Sequence, residues 1–170
     1  MPPTSWEERL REVLARSTGP GLTPAEPLRA QPGLEFLRGI LEGRFPRPPI
    51  QDTLGFHLVE VERGRAVFQG EPRPEHYNPI GSVHGGWAAT LLESAMACAV
   101  HSTLAAGQGY TTLEFKLNLV RPILAASGHL RAEGKLVNAG RSVATSEGRL
   151  LGADGKLYAH GTETCLILGP

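Results

Sequence analysis

Residues 78–106 read NPIGSVHGGWAATLLESAMACAVHSTLAA, and this stretch decides the fold. A Pro/Gly-punctuated loop over 72–82 runs into a long Ala-rich helix, roughly residues 85–106. Apolar residues occupy nearly every face of that helix. Such a helix must be enclosed by protein. Its low-polarity run, Trp87 to Ala106, is broken by Glu93 and His101, which marks a buried helix rather than a membrane span.

The enclosing material lies on both sides. Upstream, Leu54–Val61 and Arg65–Glu71 read as strands separated by Glu62-Arg63-Gly64, a hairpin signal. Downstream, strand signals fall at 110–120, 128–138, 141–151 and 157–168, the last two joined by Ala153-Asp154-Gly155. In the cleanest strand Leu113, Phe115, Leu117 and Leu119 alternate with Thr112, Glu114, Lys116 and Asn118. Period two puts one set on a buried face and the other on a polar face, open to solvent, a ligand or a second subunit. One long helix serving about six strands predicts an α+β fold, a curved antiparallel sheet wrapped around one central helix.

An N-terminal helical extension and Pro-rich linker (1–48) precede the main domain (49–170). Residues 4–17 read as an amphipathic helix with Trp6, Leu10, Val13 and Leu14 on one face and Thr4 or Ser5 as cap. Four prolines in 18–32 predict a linker or an extended wrap. A second short helix fits Leu34–Leu41, stopped by the run FPRPPI from Phe45.

Composition narrows the functional classes. A chain of 170 residues with 41% hydrophobic and 20% charged side chains suits one globular domain. Seventeen basic side chains balance seventeen acidic ones, which argues against a broad nucleic-acid face but not against a small cationic pocket. Cys98 and Cys165 have no CxxC spacing and are expected to be free thiols. The N-terminus lacks the apolar core of a secretory signal, so the expectation is a cytoplasmic protein without a membrane anchor. His57, His76, His101, His129 and His160 are scattered without ligand spacing, and no metal or separate cofactor is expected. The G-x-S-x-G, Walker A and H-E-x-x-H patterns are missing from the sequence.

The chemistry concentrates in the opening stretch. Gly81-Ser82-Val83-His84-Gly85-Gly86 lies where the loop enters the helix. Adjacent glycines admit a ligand close to the backbone, and the first N–H groups of a helix lack intrahelical partners. Such an end binds anions or stabilises an oxyanion. Glu93 has no cation at helical spacing, and an acid on an apolar helix is expected to be desolvated and to serve as a base or nucleophile. It lies seven residues after Gly86, roughly 10 Å along the axis. One helix therefore cannot bring both to one reacting atom, whereas two helices related by a two-fold axis can. The spacing predicts a dimer with two composite sites.

The pattern Asn78-x-x-Gly81-x-x-His84-Gly85-Gly86, followed by Leu91-Leu92-Glu93-Ser94-Ala95, resembles the PaaI-like branch of hotdog-fold acyl-CoA thioesterases. The resemblance covers roughly 50–168 and includes Arg121-Pro122 and Gly140-Arg141-Ser142. It implies that the Gly85 N–H polarises the thioester carbonyl and that Asn78 contacts the thioester or the water. Glu93 of the partner subunit would act as general base or nucleophile, and Thr112 would orient the water or the carboxylate. His84 would organise the loop beside Gly86, and Arg121, Arg141 and Ser142 would meet the phosphates of coenzyme A, which enters only as part of the substrate. The family also implies a homodimer or a dimer of dimers. Many members carry Asp where this chain has Glu93. A non-catalytic acyl-CoA binding or sensing module on the same fold is the alternative reading. A hotdog hydratase would need an Asp–His pair that the sequence lacks.

Overall fold

The computed structural model describes residues 5–169. Helix α1 (Trp6–Arg16) begins on a reciprocal cap: Ser5 Oγ accepts from the Glu8 N–H at 3.2 Å, and the Glu8 carboxylate accepts from the Ser5 N–H at 2.8 Å. Thr4, the other candidate cap, lies outside the described residues. The Pro-rich stretch is not wholly extended, for it holds a short helix α2 (Ala25–Arg29). Pro27 falls in its first turn, where a missing N–H breaks no helical bond. Helix α3 spans Gly33–Leu41. The prolines that stop it also start α4 (Pro49–Leu54), with Pro49 in its first turn and Gly55 closing it at φ 63°. Leu54, read from sequence as strand, is therefore helical.

Six strands follow: β1 (Phe56–Glu62), β2 (Arg65–Gly70), β3 (Gly109–Leu119), β4 (Leu130–Ala139), β5 (Val143–Gly152) and β6 (Leu157–Leu168). They form one antiparallel sheet in the order β1-β2-β4-β5-β6-β3. It curls around α5 (Gly85–His101), which is the hotdog arrangement. The helix ends before the expected residue 106 because other segments take its last polar groups. Ser102 Oγ donates to the Ala99 carbonyl at 2.7 Å and accepts from the Gly64 N–H at 2.7 Å, while the Gly33 N–H donates to the Leu104 carbonyl at 3.1 Å.

The seat of α5 is built from glycine. Gly134 on β4 and Gly148 on β5 stand opposite one another in register. A Cβ on Gly134 would run into the Ala95 carbonyl and the Met96 amide, and one on Gly148 would meet Met96 Cγ at 2.8 Å. The missing side chains let the helix backbone sink against the sheet. Leu91, Leu92, Ala95 and Met96 are then fully buried beside Leu58, Phe68, Leu130 and Leu150. Trp87, which follows the paired glycines, packs into this core, with its indole N–H donating to the Leu54 carbonyl at 2.8 Å.

Strand β3 is the sheet edge next to β6, and it departs from simple alternation. Thr112 pairs with Cys165 but Glu114 pairs with Thr164, so Leu113 is a bulge. The bulge puts Thr112 on the same face as Phe115, Leu117 and Leu119, toward the helix, not opposite them as strict period two requires. The apolar set is not buried within one chain either: Leu113, Phe115 and Leu119 remain exposed.

Because backbone rather than a movable side chain faces Gly134, Gly134→Ala is expected to cost on the order of 2–3 kcal/mol or to prevent folding. Gly148→Ala, which meets the flexible end of Met96, is expected to cost distinctly less. Thermal melts of the two variants check the order, and equal losses would contradict the seating.

Candidate active site

The loop before α5 holds itself in shape. Asn78 Oδ1 accepts from the Ile80 N–H at 3.0 Å and the Ser82 N–H at 3.3 Å, and Asn78 Nδ2 donates to Ser82 Oγ at 3.1 Å. Gly81 turns the chain at φ 84°, a region closed to most side chains. The side chain of Asn78 is thus engaged by its own loop, with the second hydrogen of its amide left over.

His84 is the N-cap of α5, and its Nδ1 accepts from the Gly86 N–H at 2.9 Å. The Gly85 N–H meets no acceptor among the described residues. Of the two glycines, Gly85 is therefore the donor free to bind a ligand, at the positive end of the helix. It opens into a cavity of about 260 Å³ with Asn78, Ser82, Leu119 and Arg121 in its wall. Leu119 lies directly over it, and a Cβ on Gly85 would sit 2.6 Å from Leu119 Cδ1. The Arg121 guanidinium stands 5.9 Å from the centre of the Tyr158 ring. This is one half-site, near the C-terminal end of β3.

The second half-site lies two helical turns away, near the N-terminal end of β3. Glu93 is half-buried on the flank of α5 that the sheet leaves open, in line with Gly86 and Thr90. Across from it the bulged Thr112 donates from Oγ1 to Glu163 Oε1 at 2.7 Å. Cys165 Sγ also lies 3.3 Å from Glu163 Oε1. Glu163 is only 1% exposed, and its Oε2 has no hydrogen-bond partner. Ser146, opposite Glu163 in register on β5, has a buried unpartnered hydroxyl as well. Burial pushes the Glu163 carboxyl up to about 7; Thr112 and Cys165 pull it down, and nearby Glu93 adds to the rise. Both cysteines are free thiols. Burial above all, with Glu163 adding to it, pushes each thiol up to about 12.

Sequence reasoning passed over Glu163. One signal was present: Ala159, Gly161, Glu163 and Cys165 form the inward series of β6, so this acid interrupts a small and apolar face. Arg141 and Ser142 occupy an exposed turn, where the Ser142 carbonyl accepts from the Ile167 N–H at 2.9 Å. They adjoin the Thr112 end of β3, whereas Arg121 adjoins the Gly85 end. A single chain does not bring these phosphate candidates together.

Among the described residues no helix is long and apolar enough to cross a membrane, and no cluster of three or more His, Cys, Asp or Glu side chains has the geometry to hold a metal.

The thioesterase superfamily model matches residues 80–159, from the loop before α5 to the start of β6. A segment of 46 residues is 41% identical to 1,4-dihydroxy-2-naphthoyl-CoA hydrolase of Listeria monocytogenes. That match covers 27% of this chain and only 37% of the hydrolase. The solved phenylacetic acid degradation-related protein of Ralstonia eutropha is 33% identical with a TM-score of 0.70, over 77% of this chain and 98% of that one. A variant of the phenylacetic acid degradation protein PaaI of Thermus thermophilus is 30% identical with a TM-score of 0.63, over 69% and 97% of the two chains. Together with the curled sheet, the central helix and the glycine-rich helix entry, these likenesses place the chain in the thioesterase superfamily, on its PaaI-like hotdog branch.

Proposed function

We propose that this protein hydrolyses an acyl-CoA thioester to a carboxylic acid and coenzyme A at a site shared by two copies of the chain. The observation that carries the reading is the separation of a free oxyanion donor, the Gly85 N–H, from an open acid, Glu93, along one helix beside an unpaired strand edge. Edge strand β3 spans both half-sites, with Thr112 at one end and Leu119 at the other. Its outer backbone is unpaired, and Leu113, Phe115 and Leu119 are exposed on it. Antiparallel pairing of β3 with its copy about Lys116 sets Phe115 opposite Leu117 and, past the bulge at Leu113, Thr112 of one chain beside Leu119 of the other. Leu119 covers Gly85, so the pairing joins the acid half of one protomer to the oxyanion half of its partner. The same pairing draws Arg121 toward the partner's Arg141 and Ser142, where the phosphates of coenzyme A need cations.

In this arrangement the Gly85 N–H and the helix end stabilise the oxygen that becomes negative when the thioester carbon turns tetrahedral. Glu93 either takes a proton from the attacking water or attacks the carbonyl itself. The carbon–sulfur bond then breaks and coenzyme A leaves as the thiol, taking the proton that Glu93 removed from the water; on the nucleophilic route the thiolate takes a proton from solvent, and water then hydrolyses the acyl–Glu93 anhydride to the acid. Thr112, having given its own hydrogen to Glu163, offers its oxygen lone pairs to orient the water. Glu163, held largely neutral below about pH 7 by burial, backs the Thr112 hydroxyl without competing for the catalytic role given to Glu93.

Thiol release from acyl-CoAs tests the activity, and Glu93→Gln is expected to lower kcat by about 10²–10⁴-fold with the dimer intact. Full activity in that variant removes Glu93 from the mechanism. Stoichiometric binding of acyl-CoA without turnover by the wild type would instead favour the binding-module reading.

Sharing of the site has its own test. Proline fits the first position of a helix and lacks the N–H, and its added Cβ displaces only the flexible end of Leu119, so Gly85→Pro deletes the donor. Mixed and re-associated with Glu93→Ala, it is expected to regain about a quarter of wild-type activity, since half the dimers are mixed and each mixed dimer has one intact site. No recovery would show that each chain works alone.

Stability against pH tests the neutral Glu163. Its proton is held more tightly in the folded chain, so its contribution is complete below about 4.5, the unfolded value, and is lost as pH rises through about 7. His57 and His101, both pushed down to about 4 by burial, have the opposite effect, their contribution being lost as pH falls from 6.5 toward 4. The expected result is therefore a difference: melting temperature falls more between pH 5 and pH 8 for the wild type than for Glu163→Gln. Parallel profiles would show that Glu163 is already ionised in the folded chain.

A further inference from the structure

The N-terminal extension forms one wall of a second and larger cavity, of about 580 Å³, which runs up to the acid half-site. Its far side comes from the hotdog domain: Phe56, Leu58 and Phe68 from β1 and β2, and Ser94, Cys98 and His101 from α5. Its near side is the extension, with Leu22 and Leu28 before and within α2, Phe36 and Ile40 on α3, and Ile50 on α4. Its inner end is Tyr110, Thr111 and Thr112, so the cavity meets the catalytic groups at the hydroxyl held by Glu163. Ser94 on the wall is the helix neighbour of Glu93.

We propose that this cavity holds the acyl group, and that the extension makes the enzyme selective for an apolar acyl chain of medium length over a short one. The inference rests on the thioesterase reading and deepens it.

Chemistry and position agree on the occupant. No Asp, Glu, Lys or Arg lines the cavity, which suits a hydrocarbon and not the phosphates of coenzyme A. Its two titratable helix groups are uncharged near neutrality, since burial pushes His101 down to about 4 and the Cys98 thiol up to about 12. A thioester whose carbonyl carbon lies between Glu93 and the partner's Gly85 has its alkyl carbons on the Thr112 side of the acid, where the cavity opens. A longer alkyl chain enters the cavity past Thr112 and lies against the extension, whereas a short one leaves it unfilled. The volume lies within the range of pockets that enclose a small ligand.

The extension is anchored strongly enough to be a wall. The Gly33 amide donates to the Leu104 carbonyl at 3.1 Å, and the Gly107 amide to the Arg29 carbonyl at 2.9 Å. Arg9 Nε donates to the Val59 carbonyl at 2.8 Å, and Trp6 lies 4.5 Å under the Arg131 guanidinium. Phe36 meets His101 at 5.7 Å between ring centres, the rings tilted by 42°. Yet the lining is not sealed: Leu22 is 83% and Ile50 49% exposed, although both border the cavity. Apolar side chains so placed gain burial when a hydrocarbon arrives.

The test compares octanoyl-CoA with acetyl-CoA on the full chain. Ile40→Trp fills the cavity and is expected to lower kcat/KM for octanoyl-CoA by about tenfold or more, while acetyl-CoA changes less than about twofold. The double variant Leu22→Ser, Ile50→Ser alters only exposed positions, which the core does not need. It is expected to raise KM for octanoyl-CoA by about three- to tenfold and to leave acetyl-CoA unchanged. Equal losses on both substrates, or no loss on octanoyl-CoA in either variant, would overturn the proposal. Equilibrium binding separates it from the catalytic reading. If the wild type turns over neither thioester, tighter binding of octanoyl-CoA than acetyl-CoA, abolished by Ile40→Trp, still supports the pocket. Equal affinities refute it.

Discussion

The close seating of α5 on the sheet is the contact on which the molecule depends. Two glycines in register, Gly134 on β4 and Gly148 on β5, remove the side chains that would hold the helix away. The helix answers with alanines at 88, 95 and 99, each fully buried. Small residues on both partners let backbone approach backbone, and the larger Leu91, Leu92 and Met96 fill the flanks. The active-site geometry follows from this seat. It fixes where the helix begins, and so where the Gly85 N–H points. It also fixes which flank stays open, and so where Glu93 emerges.

The second constraint is the incompleteness of β3. An edge strand with unpaired backbone and exposed leucine and phenylalanine side chains is a liability unless something covers it. This strand also joins the two half-sites, since Thr112 and Leu119 stand near its ends. In the proposed shared site, stability and catalysis make the same demand, a second strand along that edge. The bulge at Leu113 serves the site directly, because it turns Thr112 inward to the buried carboxyl of Glu163.

The buried acid is the most unusual element of the core. A carboxyl that is almost wholly inaccessible, with one oxygen unpartnered, is normally avoided. Here it stays tolerable by holding a proton near neutrality, and it accepts from the Thr112 hydroxyl.

Local patterning determined much of this in advance. The all-round apolar character of 85–101 required enclosure, period-two runs located the strands, and Asn78, His84, Gly85, Gly86 and Glu93 were legible because their motif is contiguous in the chain. Spacing alone separated Gly86 from Glu93 by too great a distance for one helix to serve one reacting atom. Tertiary structure decided the rest. Glu163 gains its meaning only from Thr112 and Cys165, which the β3–β6 register brings to it. The bulge could not be seen in a strand whose composition alternates without fault, because bulges come from pairing and not from propensity. The role of the extension depends on contacts such as Gly33 to Leu104 and Phe36 to His101, more than sixty residues apart in sequence. Short-range patterns record which backbone each segment prefers, whereas a site assembled across strands and helices is recorded only in how those segments meet.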